Sequence, residues 1–266
     1  MYRFINTGKN NGAMNMAIDE ALLIAQATFG TPPVLRVYEF YPPTLSIGYF
    51  QSAEKEVDFE NLKTLGFDFV RRPTGGRAVL HDKELTYSIT IAYPNKILEM
   101  NLLESFRFLS KGIINAIKIL GGDADFSKSE DREISSPSCF ASPTFSDILM
   151  NGKKVVGSAQ MRNKFGLLQH GSILYKVNID EIFRCFRLSE EARRKLTEVG
   201  KLKISSLSDE LKREVGFNEI KEALKKGMEE VLEEEIIEST LTDDELKIAS
   251  DLYKNKYNTV DWNFRK

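Results

Sequence analysis

Cys139 carries the clearest capacity for covalent chemistry in this sequence. It lies in Ser135-Ser136-Pro137-Ser138-Cys139-Phe140-Ala141-Ser142-Pro143, a loop bounded by prolines where no core periodicity accounts for a thiol. Cys185, within Ile182-Phe183-Arg184-Cys185-Phe186, reads instead as a helix-core residue. A thiol attacks as its thiolate, and a neighbouring cation favours that form. Lys154 follows in Gly152-Lys153-Lys154-Val155-Val156-Gly157-Ser158-Ala159-Gln160. Successive strand residues face opposite sides, so Lys153 and Lys154 cannot both point to solvent. The one that faces inward with Val156 needs a partner, which a thiolate would supply. The plainer reading is a charged sheet edge.

Gly75-Gly76 offers a second kind of chemistry. The stretch Phe69-Val70-Arg71-Arg72-Pro73-Thr74-Gly75-Gly76-Arg77-Ala78-Val79-Leu80-His81-Asp82 reads as a strand, a turn and a second strand. Pro73 interrupts any ladder, and two glycines leave the turn's amides uncovered. Arg71, Arg72 and Arg77 flank those amides, so the turn suits an anionic or carbonyl-bearing ligand. It is neither a dinucleotide fingerprint nor a P-loop, because the further glycines and the lysine of those motifs are absent. The bland alternative is a glycine hairpin with solvated arginines. Gln169-His170-Gly171-Ser172 sets polar side chains into an apolar strand. His170 is a core histidine or a site residue, and Gly171 beside it suggests close approach of backbone or ligand.

The elements that hold these residues follow from periodicity. Gly12 to Ala27 places Met14, Ile18, Leu22 and Ala25 on one helical face. Val34 to Phe40 and Thr44 to Phe50 read as strands joined by Tyr41-Pro42-Pro43, and are expected to be sheet neighbours. Asp58 is placed to cap a short helix closed by Gly66. Thr86 to Tyr93 is rich in β-branched and aromatic residues. Leu102, Phe106, Leu109, Ile113, Ile117 and Leu120 form a helical stripe stopped by Gly121-Gly122. Asp123 to Pro143 reads as a long loop. An Asn151-Gly152 hairpin and a strand from Leu167 to Tyr175 complete a sheet of about eight strands. From Asn178 onward the pattern is helical and highly charged, with a capping box at Thr242-x-x-Glu245.

The expected class is α+β: a largely antiparallel or mixed sheet covered by helices, with residues 1–176 as the sheet-bearing core. Residues 177–266 form a helical C-terminal part packed upon it. Lys+Arg 37 against Asp+Glu 39 argues against a general nucleic-acid binder. No run reaches membrane-spanning length and no apolar leader follows Met1, so a cytoplasmic location is expected. Two cysteines and two histidines make neither a disulfide framework nor a metal cluster, and no cofactor is expected.

The order Arg71 to Asp82, Glu84-Leu85-Thr86-Tyr87-Ser88, Gly152 to Gln160 and Gln169 to Ser172 closely resembles the lipoate/biotin protein ligase superfamily, as does Asn15-Met16-Ala17-Ile18-Asp19-Glu20. The resemblance runs from about Asn6 to Tyr175 and weakens beyond. Its ligases activate a free fatty acid with ATP and usually carry a third glycine in the first motif, where this chain has Arg77. Cys139-Phe140 and the following proline look like the cysteine loop of the octanoyltransferase branch that acts on the glycine-cleavage H protein. The resemblance therefore implies octanoyl transfer from acyl carrier protein, through a Cys139 thioester, to a lysine of a lipoyl-acceptor domain. Lys154 would lower the thiol pKa. Arg72, Gly75, Gly76, Arg77, His81, Gly157, Ser158, Ala159, His170 and Gly171 would bind substrate, the two histidines in roles not assigned. An ATP-dependent ligase and a non-catalytic lipoyl- or biotinyl-binding module are the alternatives.

Overall fold

The computed structural model describes residues 1–127 and 147–265. The chain opens with β1 (Tyr2–Asn10), α1 (Gly12–Phe29), β2 (Val34–Phe40) and β3 (Thr44–Ile47). Then come α2 (Ala53–Glu56), α3 (Phe59–Leu65), β4 (Asp68–Arg71), β5 (Val79–His81), β6 (Glu84–Ala92) and α4 (Leu102–Ile119). β7 (Asp125–Phe126), β8 (Ile148–Met150), β9 (Lys153–Arg162) and β10 (Gly166–Leu174) follow. The remainder holds α5 (Ile179–Arg184), α6 (Glu190–Lys203), α7 (Leu207–Leu211), α8 (Phe217–Leu232), β11 (Ile236–Ser239), α9 (Asp243–Leu252) and α10 (Val260–Asn263).

Among the described residues an 8-stranded sheet runs β11-β1-β2-β6-β10-β9-β8-β7. β1 is parallel to both its neighbours and the other pairs are antiparallel, so the sheet is mixed and the fold α+β, as expected. β3 is not beside β2, contrary to the sequence reading. Both edges of β2 are taken, by β1 and β6, so after Tyr41-Pro42-Pro43 the chain leaves the sheet. It builds a separate 3-stranded sheet, β4-β3-β5.

The two faces of the large sheet are buried for different reasons. On one, Leu35 and Val37 of β2 with Tyr87 and Ile89 of β6 meet Leu109, Ile113 and Ile117 of α4 and Leu224 and Met228 of α8. Leu102, at the start of the α4 stripe, is 53% exposed because it sits at the helix end, just after the Asn101 cap. α8 lies close on α4 because both are glycine at the crossing; a Cβ on Gly227 would stand 2.4 Å from the Gly112 carbonyl oxygen. The other face meets α1 and the small sheet, and there Arg36, Thr86, Ser88, His170 and Ser172 are buried although polar. Buried polar groups need partners, and this face is where they find them.

The stretch after residue 177 is mostly helical but also supplies β11, which pairs in parallel with β1 at the sheet edge. α9 lies on α1, where Arg3 of β1 and buried Glu245 of α9 form an ion pair. Asp58 caps α3 with Gly66 closing it, and Thr242 and Glu245 form the capping box of α9, as read from the sequence. No helix of the described residues is long and apolar enough to cross a membrane.

Candidate active site

The turn between β4 and β5 is tied down on all sides. The Arg72 amide donates to the Ile47 carbonyl at 3.0 Å, and the Tyr49 amide to the Thr74 carbonyl at 2.9 Å. Gly76 has φ 90°, and a Cβ on the facing Gly48 would lie 1.9 Å from the Gly76 carbonyl oxygen, so only glycine fits there. Gly75 is half-buried and Gly76 exposed, and among the described residues neither amide makes a hydrogen bond.

The three arginines of this stretch have separate fates. Arg71 is fully buried and turned away from the glycines. Its guanidinium donates to the carbonyls of Gly48, Tyr49, Gln51, Trp262, Asn263 and Arg265, binding the C-terminus to the small sheet. The expectation that it flanks the turn's amides is corrected by alternation along β4. Arg72 points the other way, under the turn. Its Nε donates to Thr74 Oγ1 (3.2 Å), its Nη1 to Ser46 O and Oγ (both 3.3 Å), and its Nη2 to the carbonyls of Gly75 (2.8 Å) and Arg77 (2.7 Å). Arg77 is partly exposed.

Both histidines join this turn. His170, on β10, has Nε2 2.7 Å from Thr74 Oγ1 and Nδ1 3.1 Å from Asp19 Oδ2. His81, ending β5, has Nε2 2.8 Å from Ser46 Oγ and Nδ1 2.6 Å from Glu84 Oε1, while the Phe40 ring stacks on it at 4.1 Å. Burial pushes the His170 imidazole down, and the attraction of Asp19 only partly opposes it.

Asp19 is a site residue to which the sequence reading assigned no role. It is fully buried on α1 and accepts from Arg36 Nη1 (2.6 Å), Ser88 Oγ (2.6 Å) and Tyr38 OH (2.9 Å) as well as facing His170. Burial alone would raise its carboxyl, but the Arg36 guanidinium and the bonds from His170 and Ser88 outweigh that and hold it below the usual range. A usable signal existed: Asp19, on the apolar face of α1, and the one arginine inside the apolar β2 each need a buried partner. Glu84 was missed in the same way. Its Oε1 also accepts from Thr86 (2.6 Å) and Ser172 (2.9 Å), whereas its buried Oε2 has no partner among the described residues.

β9 and β10 bring the remaining candidates alongside. Ala159 pairs with His170, Ser158 with Gly171 and Gly157 with Ser172. Ser158 Oγ is 2.7 Å from Tyr87 OH, whose pKa burial pushes up to about 12. Gly171 must lack a side chain, because a Cβ there would stand 2.6 Å from the Gly157 carbonyl oxygen, which is backbone. Further back on β9, Lys154 is fully buried and Lys153 turns outward, 3.9 Å from Glu210. Lys154 Nζ lies 2.7 Å from Asp147 Oδ1, so the buried ammonium has a carboxylate beside it, a partner the sequence reading did not name. The Ser127 amide donates to the Asp147 carbonyl at 2.9 Å, so the two described residues flanking the Cys139 segment meet beside Lys154. Cys139 itself lies outside the described residues. Cys185 caps the C-terminal end of α5, buried among Ile47, Val57, Ile182 and Phe183, and burial pushes its thiol up to about 12.

The arrangement therefore unites Arg72, Gly75, His81 and His170 in one hydrogen-bonded cluster, with Gly76 beside it in the turn and Gly157 to Ala159 and Gly171 on adjoining strands. The chain is 42% identical over 274 residues to octanoyltransferase LipM of Anoxybacillus flavithermus, covering 100% of this chain and 99% of that one. It is 37% identical over 273 residues to octanoyltransferase LipM of Bacillus subtilis, covering 100% and 98%. Among solved structures, lipoate-protein ligase A bound with ATP superposes with a TM-score of 0.81 at 29% identity, covering 98% of each chain. The bipartite lipoate protein ligase of Thermoplasma acidophilum gives 0.84 at 28% identity, covering 98% and 95%. With residues 11–229 matching the lipoyl protein ligase A/B catalytic domain, the chain belongs to that family, and it is an acyltransferase.

Proposed function

We propose that this protein moves an octanoyl group from octanoyl-acyl carrier protein, through a thioester on Cys139, to a lysine of a lipoyl-acceptor domain such as the glycine-cleavage H protein, as a step of lipoate biosynthesis in the cytoplasm. The observation that carries the reading is similarity over the whole chain, at 37% and 42% identity, to proteins named octanoyltransferase. The burial of Lys154 where the flanks of the Cys139 segment meet supports it.

The Cys139 thiolate attacks the donor thioester carbonyl. A new C–S bond forms, the bond to the carrier's sulfur breaks, and that sulfur leaves as a thiolate and takes a proton. Exchange of one thioester for another is close to balanced in free energy and needs no nucleotide. The acceptor's lysine amine then attacks the acyl-enzyme; the C–N bond forms, the C–S bond to Cys139 breaks, the amine loses a proton, and the departing sulfur takes one to regain its thiol. Lys154 favours the thiolate by its charge, which it shares with Asp147. Amides of the Gly75-Gly76 turn hold the acyl oxygen as it gains charge, and Arg77, Gly157, Ser158, Ala159 and Gly171 border the bound chain.

Intact-mass spectrometry with donor alone tests this. One octanoyl mass should appear, be removed by hydroxylamine and be discharged by acceptor. Cys139→Ala should abolish loading, and Cys185→Ala should retain it. Transfer by Cys139→Ala at the wild-type rate overturns the covalent route. The ligase structures favour a second reading, in which free octanoate is used with ATP. Modification from free octanoate only with ATP and Mg²⁺ would select it.

A further inference from the structure

His81 and His170 are the only histidines in the chain, and the same wiring surrounds both. Each has a carboxylate at Nδ1, Glu84 for one and Asp19 for the other. Each has a hydroxyl at Nε2, Ser46 for one and Thr74 for the other. Both hydroxyls also accept from the Arg72 guanidinium. A guanidinium has five N–H donors. Arg72 directs them at two hydroxyls and three carbonyls, those of Ser46, Gly75 and Arg77.

The direction of every proton follows. A carboxylate only accepts, so each imidazole donates from Nδ1 and is left with a bare Nε2. The hydroxyl must then donate to Nε2, which leaves its oxygen lone pairs to Arg72. With Nε2 protonated instead, the hydroxyl hydrogen would lose its acceptor in a buried site, where an unmade bond is costly.

We infer that His81 and His170 are positioning residues: through Ser46 and Thr74 they orient Arg72, which draws the carbonyls of Gly75 and Arg77 inward and leaves the turn's amides facing the substrate. This rests on the reading that those amides receive the acyl oxygen. It also gives Arg72, taken from the sequence as a substrate contact, the task of shaping the turn.

The full-length protein labelled with [15N]histidine at pH 8 shows two rings. Both are expected with the proton on Nδ1 and a bare Nε2; either ring protonated at Nε2 with Nδ1 bare overturns the inference. In [15N]glycine-labelled protein, the Gly75 and Gly76 signals, assigned with Gly75→Ala and Gly76→Ala, should move in Thr74→Val and in Ser46→Ala while those of Gly112 and Gly227 stay in place. Stationary Gly75 and Gly76 signals also overturn it. Thr74→Val should slow acyl loading at saturating donor about tenfold with KM changed less than about twofold, and Thr74→Ser should recover most of the rate. A rise in KM with an unchanged maximal rate overturns the positioning role. If wild-type protein never loads an acyl group while rings and glycines behave as stated, the acyl-transfer reading falls and the wiring of the turn stands.

Discussion

Thr74 Oγ1 stands 2.7 Å from His170 Nε2, so a turn of the small sheet is bonded to the interior of the large one. His170 lies on β10, which is paired along both edges, to β6 and to β9. The Gly75-Gly76 turn thereby takes its position from a central strand.

That position should tolerate little displacement. Gly48→Ala would put a Cβ 1.9 Å from the Gly76 carbonyl oxygen, and the obstacle is backbone, so the turn must shift. Misplacement by about 1 Å at a reacting centre can cost on the order of a hundredfold. We expect loading of that order below wild type with little change in Tm. A wild-type loading rate would show that the turn does not contact the substrate.

Stability should depend on pH through His170. Its folded pKa is depressed, chiefly by burial, against about 6.5 in an unfolded chain. Below that value the unfolded state binds more protons, so the stabilisation is complete above about 6.5 and is lost as pH falls through the folded value. The urea midpoint of the wild type should fall over that range, and His170→Gln should lack this component. Parallel midpoint profiles for the two proteins would refute it.

Lys154 and Asp147 should prove unequal to separate. Both side chains are buried, and removing one partner of a buried pair costs about 3–5 kcal/mol. Lys154→Met should lose roughly that much in urea unfolding, and Lys154→Met combined with Asp147→Asn should lose less. Equal or greater loss in the double variant would mean that the two charges do not stabilise each other. Alkylation of Cys139 should need higher pH in the double variant if the lysine charge activates the thiol.

The two cysteines should differ sharply towards iodoacetamide. The Cys185 thiol is pushed up to about 12 by burial and should stay unlabelled in the native protein at pH 8. Peptide mapping should find label on Cys139 alone, and on both after denaturation. Native labelling of Cys185 would contradict its placement in the core.

The sequence by itself determined whatever depends on near neighbours. The caps at Asp58 and Thr242, the helical stripe of α4 and the β-branched and aromatic run of β6 are set within a few residues of each other, and they matched the fold. The order of its motifs also pointed to the family. Tertiary structure decided the rest, because a strand's partner and a buried charge's partner lie far along the chain. β3 left the large sheet only because β1 and β6 had filled both edges of β2. β11, four residues in a charged stretch, is a strand because β1 lies beside it. Arg71 and Arg72 look equivalent in sequence, yet the alternation of a strand sends one to the carbonyls of the C-terminus and the other beneath the glycine turn. Asp19 and Arg36 come from a helix and a strand, and only folding can place their buried charges close enough to compensate one another.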